Sequence, residues 1–278
     1  MPELPEVETI VQALRRGGRD GLPVVGETLA GVQVLWPRTI AVPSLPEFHR
    51  RIPGQTVKDV TRRGKFVCLQ LTHDVLLVHL RMSGDLRVDG LNDSGQLLPL
   101  QPHDRAVFAF ESGLRLAFND ARKFGRIWLV DDPQTVTGSL GPEPLDPGFA
   151  WEELYRRLHA SARRLKPLLL DQSFLAGLGN IYTDEALFAA GLHPSMAANT
   201  LSEEHAERLW TAIRAVLQEG ILRNGASIDW VYRGGNFQNH FRVYRRTGQP
   251  CMVCGTSIQR KIIGQRSTHF CPVCQPEG

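Results

Sequence analysis

Two groups of residues in this sequence have the types and spacing to do chemistry. The first is the opening Pro2-Glu3. Initiator methionine is usually trimmed ahead of a small residue, which would leave Pro2 with a free secondary amine, a candidate nucleophile. An α-amino group has a reference pKa of roughly 7.7 to 8.0 against about 10.4 for lysine, so near pH 7 it is unprotonated about two orders of magnitude more often. A secondary amine that attacks a sugar C1′ becomes an iminium with no lone pair on nitrogen. That cation acidifies the C2′ proton, so elimination follows, and Glu3 next to it is placed to act as general acid or base. The plain alternative is a Pro-Glu lead-in to a helix. The second group is Cys251-x2-Cys254, sixteen residues, then Cys271-x2-Cys274. This is the spacing of a tetrahedral zinc site with four thiolates and no open position for water, hence one structural Zn2+. Disulfides compete with that reading, but the chain is expected to be cytosolic, where thiols stay reduced. Cys68, alone in an apolar stretch, reads as a core residue.

Several elements must position these groups. Val7, Ile10, Val11 and Leu14 recur at helical spacing from Pro5, with Gly17 placed to end the helix. Alternation over Val57–Val60, Lys65–Leu71, Val75–Arg81, Asp85–Val88, Ala106–Glu111, Leu114–Asn119 and Arg126–Asp131 predicts strands, with a hairpin turn at Ser112-Gly113. This half is expected to be a β-sandwich or barrel with the first helix against it. Polar clusters stand at strand ends: Arg62-Arg63-Gly64-Lys65, His79 to Gly84 and Asn119 to Gly125. Leu140 to Gly148 is a linker by composition. Trp151, Leu154, Tyr155, Leu158, Ala162 and Leu165 then share one helical face, and Thr200 with Glu203 fits a capping box ahead of a helix ending at Gly220. Between them, Gly177-Leu178-Gly179-Asn180 precedes an apolar helix, with Asn180 as the expected N-cap and its exposed amides able to take phosphate.

The composition is globular: 278 residues, 42% hydrophobic and 22% charged. No apolar run approaches a membrane span, and the acidic amphipathic start is no signal peptide, so a cytoplasmic chain is expected. Net charge is only +3, or about +1 once four thiolates and Zn2+ are counted. The basic residues are concentrated: Arg223, Arg233, Arg242, Arg245, Arg246, Arg260, Lys261 and Arg266 stand against the single acid Asp229. Such arginine-rich clustering suits bidentate phosphate recognition.

The opening Pro2-Glu3-Leu4-Pro5-Glu6-Val7-Glu8-Thr9 resembles the bacterial formamidopyrimidine-DNA glycosylase family, also called 8-oxoguanine DNA glycosylase and AP lyase, and the resemblance runs the length of the chain. It implies an α+β chain of two domains, an N-terminal β-sandwich with its leading helix and a C-terminal helix-two-turn-helix bundle ending in a four-cysteine zinc hairpin. The implied divisions are 1–135 for the catalytic sandwich, 136–149 for the linker, 150–225 for the DNA-binding helices, 226–241 for a loop over the extruded base, and 242–276 for the zinc finger. The implied partner is double-stranded DNA holding an oxidised purine or an abasic site, bound in a cleft by a monomer, in the cytoplasm at the bacterial nucleoid.

The same resemblance implies roles. Pro2 forms a Schiff base, Glu3 donates a proton, Lys65 assists β-elimination, and Arg266 grips the phosphates beside the lesion and serves δ-elimination. His79 and His103 touch the DNA backbone. Met82, Arg122 and Phe124 fill the gap left by the extruded base. Lys166, Asn180 and Arg163 or Arg164 contact DNA. Endonuclease VIII enzymes open Pro-Glu-Gly-Pro-Glu, so Leu4, with Arg122 and Phe124, favours the branch that acts on oxidised purines. A zinc-ribbon DNA-binding protein without catalysis is the rival from another class, and intact Pro2, Glu3 and Lys65 argue against it.

Overall fold

The computed structural model describes all residues except 20, 91–97, 229–233 and 278. The described residues divide into two compact units, Met1–Gly138 with Ala226–Gly235, and Ser139–Gly225 with Asn236–Gly278. Part of the loop expected at 226–241 therefore lies outside the described residues.

The first unit begins with α1 (Leu4–Arg16), whose apolar stripe of Leu4, Val7, Ile10, Val11 and Leu14 is buried. Glu3 and Glu6 form a reciprocal capping box at its start, and Gly17, at φ 84°, ends it. Glycine takes that left-handed φ without a Cβ clash. Two sheets follow. One has the order β1 (Leu29–Val34), β7 (Asp104–Phe110), β8 (Arg115–Asp120), β6 (Gly84–Asp89). The other has the order β2 (Ile40–Val42), β9 (Arg126–Val130), β5 (Val75–His79), β4 (Phe66–Gln70), β3 (Asp59–Arg63). All pairs are antiparallel except β2 with β9.

Val60, Leu69, Val78 and Leu129 of one sheet, Phe108, Leu116 and Phe118 of the other, and Val7, Ile10, Val11 and Leu14 of α1 form one core. The predicted β-sandwich is present, and each strand predicted from 57 onward is there within a few residues. The strands β1 and β2 and the helix α2 (Leu45–Arg51) were not predicted. They are short or polar, and the two strands are defined by their pairing, β1 on β7 and β2 on β9. A one-turn helix, α3 (Gln134–Thr137), closes the unit.

The second unit is built from α4 (Trp151–His159), α5 (Leu165–Leu169), α6 (Asn180–Ala190), α7 (Glu203–Leu222) and a hairpin of β10 (Gln259–Ile263) and β11 (Arg266–Phe270). The expected continuous face from Trp151 to Leu165 is broken. α4 stops at His159, and Arg164 makes a β-bridge to Ala197 before α5 begins. The start of α7 is also shifted. Ser202 is the N-cap, in a capping box with His205 rather than Thr200 with Glu203. Gly220 does not end α7, which runs on to Leu222; its carbonyl accepts the Gly225 amide at 2.7 Å, just past Asn224, which takes a left-handed φ. Residues 139–149 are packed rather than free. Gly141 donates to Gln172 O at 2.8 Å and Trp210 Nε1 to Phe149 O at 2.9 Å. Among the described residues no helix is long and apolar enough to cross a membrane.

Candidate active site and metal centre

In the first unit the N-terminus of α1 holds Pro2 and Glu3 in the interior, Glu3 at 3% exposure. Glu6, also buried, ties this start down: its Oε2 accepts the Glu3 amide and its Oε1 the Ala226 amide, both at 2.7 Å. The terminal amine, carried here by Met1, has its pKa lowered by burial; Glu3 and Glu6 oppose that shift, while Lys65 and Arg122 add to it. The charges of these four side chains thus act on the amine. Lys65 follows the left-handed Gly64 at the tip of the β3–β4 hairpin and is 5% exposed.

His79 ends β5, with its ring edge-on to Phe66 at 4.7 Å. Its Nδ1 accepts the Arg81 amide at 3.0 Å, and burial, then the charges of Arg81 and Lys65, pushes its pKa down to about 3. The imidazole is therefore neutral, with its proton on Nε2. His103, Met82, Arg122 and Phe124 are all exposed, Phe124 at 55%, on the turns that join these strands. Three of these turns contain a side-chain-bearing residue at positive φ, Arg81, His103 and Lys123. Non-glycine residues adopt that conformation only where the surroundings impose it.

In the second unit the hairpin of β10 and β11 is fastened to α6. Asn180 Nδ2 donates to Ser267 O at 3.0 Å, and Asp184 Oδ2 accepts both the amide and Nδ1 of His269 at 3.0 Å. Gly264, in the hairpin turn, packs so closely on Pro167 that a Cβ there would lie 3.0 Å from it. Arg266 opens β11 and is exposed. Glu185, buried next to Asp184, accepts the amides of Arg242, Val243 and Tyr244 at 2.9, 3.0 and 2.8 Å.

One expectation for this unit is corrected, the N-cap of α6, and its three candidate DNA contacts are placed as follows. Lys166 has no exposure, and its ammonium is paired with Asp184. Asn180 is the first residue of α6 and Gly179 its N-cap; one hydrogen of the Asn180 amide is already committed to Ser267. Arg163 is exposed but donates to Asp171 at 2.7 Å, which holds that carboxyl down at about 2. The sequence reading missed Ser83, Asp120, Asp184 and Glu185. An Asp two residues before Arg122 is an Asx-turn signal; nothing in the sequence distinguished the other three.

The four cysteine sulfurs lie within 4.8 Å of one another. The closest pairs, Cys254–Cys271 and Cys251–Cys274, are 3.5 and 3.8 Å apart. Ligands about 2.3 Å from a tetrahedral zinc stand about 3.8 Å from each other, whereas a disulfide needs about 2.05 Å. The amides of Val253 and Cys274 point at the Cys251 and Cys271 sulfurs at 3.4 Å, a contact that favours thiolate. The set fits one structural zinc ion, which would supply a cross-link there and no reacting atom. Gln275, wholly buried, links the site to the end of α6 by taking the Cys271 amide and donating to Leu192 O at 2.9 Å.

Known proteins share this arrangement. The family model for the formamidopyrimidine-DNA glycosylase N-terminal domain matches residues 1–127, that for the formamidopyrimidine-DNA glycosylase H2TH domain 140–231, and that for a zinc finger found in FPG and IleRS 248–276. Formamidopyrimidine-DNA glycosylase of Protochlamydia amoebophila is 42% identical, and that of Pelotomaculum thermopropionicum 44%, each over 99% of this chain and 99% of its own. A solved complex of the Lactococcus lactis protein with DNA containing Fapy-dG superposes with TM-score 0.88 at 35% identity, covering 99% of this chain and all of that one. A MutM complex with DNA containing carbocyclic 8-oxo-G gives TM-score 0.88 at 34% identity over the same extents.

Proposed function

The chain belongs to the formamidopyrimidine-DNA glycosylase family and is therefore a base-excision-repair DNA glycosylase with AP lyase activity, and we propose that Pro2, once Met1 is removed, is its nucleophile. The substrates are 8-oxoguanine and formamidopyrimidines in duplex DNA, and the enzyme works in the cytoplasm, at the nucleoid. The damaged base leaves the stack to be reached. The Pro2 nitrogen attacks C1′, the bond from C1′ to the base breaks, and the base departs with a proton. The resulting iminium acidifies C2′. Loss of that proton expels the 3′ phosphate, and a second elimination expels the 5′ phosphate.

Glu3 is the proton donor, Lys65 moves the proton in the first elimination, and Arg266 holds the flanking phosphates and serves the second. Met82, Arg122 and Phe124 occupy the gap in the duplex, and His79, His103, Arg163 and Asn180 take the backbone. On this reading residues 1–135 do the chemistry, while 150–225 and 242–276 grip DNA.

The observation that carries the assignment is Pro2 buried next to Glu3 at the head of α1, where the amine of the preceding Met1 already has its pKa lowered by burial. Burial favours the neutral, nucleophilic form of an amine. Borohydride should trap the enzyme on an 8-oxoguanine duplex, with peptide mapping placing the adduct on Pro2 and retained Met1 abolishing it. An adduct mapped to an internal lysine instead, with excision intact in the Met1-retaining protein, would show the nucleophile to lie elsewhere.

A further inference from the structure

Two turns of the first unit carry the residues assigned to the duplex gap. Met82 lies between β5 and β6, Arg122 and Phe124 between β8 and β9. Both turns close on one carboxylate. Asp120, the last residue of β8, is 1% exposed. Its Oδ2 accepts the Gly125 amide at 2.7 Å, and its Oδ1 accepts the Arg122 amide at 3.2 Å together with the hydroxyl of Ser83. The Ser83 oxygen in turn accepts the Arg122 amide at 3.2 Å. The Asp120 backbone is held as well, its amide donating to His103 O at 2.9 Å and its carbonyl accepting Arg105 Nε at 2.7 Å.

The rest of the turn is equally constrained. Lys123 adopts φ 60°, with its ammonium 4.1 Å from the centre of the Trp36 ring. A Cβ on Gly125 would stand 2.3 Å from Phe118. Three bonds to a single buried side chain are more than burial requires. They run to both turns, and Arg122 and Phe124 are left exposed at the rim.

We propose that Asp120, through Ser83, is a positioning residue that sets the two turns as one rigid unit, so that Met82 and Arg122 enter the duplex in fixed register. This rests on the gap role given above to Met82, Arg122 and Phe124. A wedge gains by filling the space of an extruded base only if it is already in place, since ordering it on binding costs entropy.

The test exploits the crossing. Ser83 lies on the turn of Met82, yet its loss should be felt by Arg122. Single-turnover excision of 8-oxoguanine is measured opposite cytosine and opposite adenine for Ser83→Ala, Ser83→Thr and Asp120→Asn, with thermal melting of each protein. Ser83→Ala and Asp120→Asn should each lower the cytosine-to-adenine ratio about tenfold, the factor set by one hydrogen bond to a charged group. Ser83→Thr, which keeps the hydroxyl, should retain the native ratio. A native ratio in folded Ser83→Ala and Asp120→Asn would overturn the proposal, as would an equal loss in Ser83→Ala and Ser83→Thr. Arg122→Ala separates the two levels. An unchanged ratio there removes the gap reading and this proposal with it, whereas a lost ratio in Arg122→Ala next to a native one in Ser83→Ala removes Asp120 alone.

Discussion

The ammonium of Lys166 is paired with the carboxylate of Asp184, and neither side chain has any exposure to solvent. Lys166 Nζ also lies 3.4 Å from Asn180 O, and the other Asp184 oxygen takes the amide and ring of His269. The pair therefore joins the start of α6 to β11, the strand that begins with Arg266.

Removing one partner of such a pair strands a buried charge. Lys166→Met should destabilise the second unit by about 3–5 kcal/mol, and Lys166→Met combined with Asp184→Asn should recover a large part of that loss. Chemical denaturation of the three proteins measures it. Equal midpoints for the single variant and the native protein would contradict the burial of the pair.

Arg266 and the zinc site are expected to act together on DNA. Arg266→Ala should flatten the log-log salt dependence of duplex affinity by about one phosphate equivalent. Chelating the metal should lower affinity and nicking while leaving the first unit folded, because all four ligands belong to the second. Circular dichroism alongside a salt titration reads both, and an unaltered slope in Arg266→Ala would remove that residue from the interface.

His79 makes stability depend on acidity. Its pKa is about 3 in the folded protein against roughly 6.5 unfolded, so between these values the unfolded chain binds the extra proton. Its contribution is complete above about pH 6.5 and is lost as pH falls toward 3. His79→Gln should lose less stability than the native protein between pH 7 and pH 5. Parallel urea melts at the two pH values would show it, and identical losses would mean the ring is not desolvated.

Arg122 is expected to read the base left unpaired. Cytosine presents N3 and O2 as adjacent acceptors for a guanidinium fork, whereas adenine sets an amino donor beside N1. Discrimination of roughly 1–3 kcal/mol is expected. Arg122→Ala should lower excision opposite cytosine far more than opposite adenine, while Phe124→Ala should weaken both alike, as measured in single turnovers. Equal losses on the two duplexes in Arg122→Ala would leave the reading role to another residue.

What the sequence determined by itself is what local spacing encodes. The α1 stripe, the alternating strands from 57 onward and the two Cys-x2-Cys knuckles each announce their own geometry within a few residues, because helix, strand and metal knuckle are short-range periodicities. Boundaries that depend on distant partners were misread. α4 stops short because Arg164 bridges to Ala197, and α7 is capped by Ser202 because His205, not Glu203, completes its box. The tertiary structure alone decided which polar side chains are withdrawn from solvent. Nothing near Lys166 in the sequence signalled that Asp184, 18 residues away, holds its charge. Asp120 looked like one polar residue among several until Ser83, 37 residues away, was found on its carboxylate. Pairings at that separation are set by how strands and helices stack to bury apolar surface, and the spacing of residues along the chain carries no record of them.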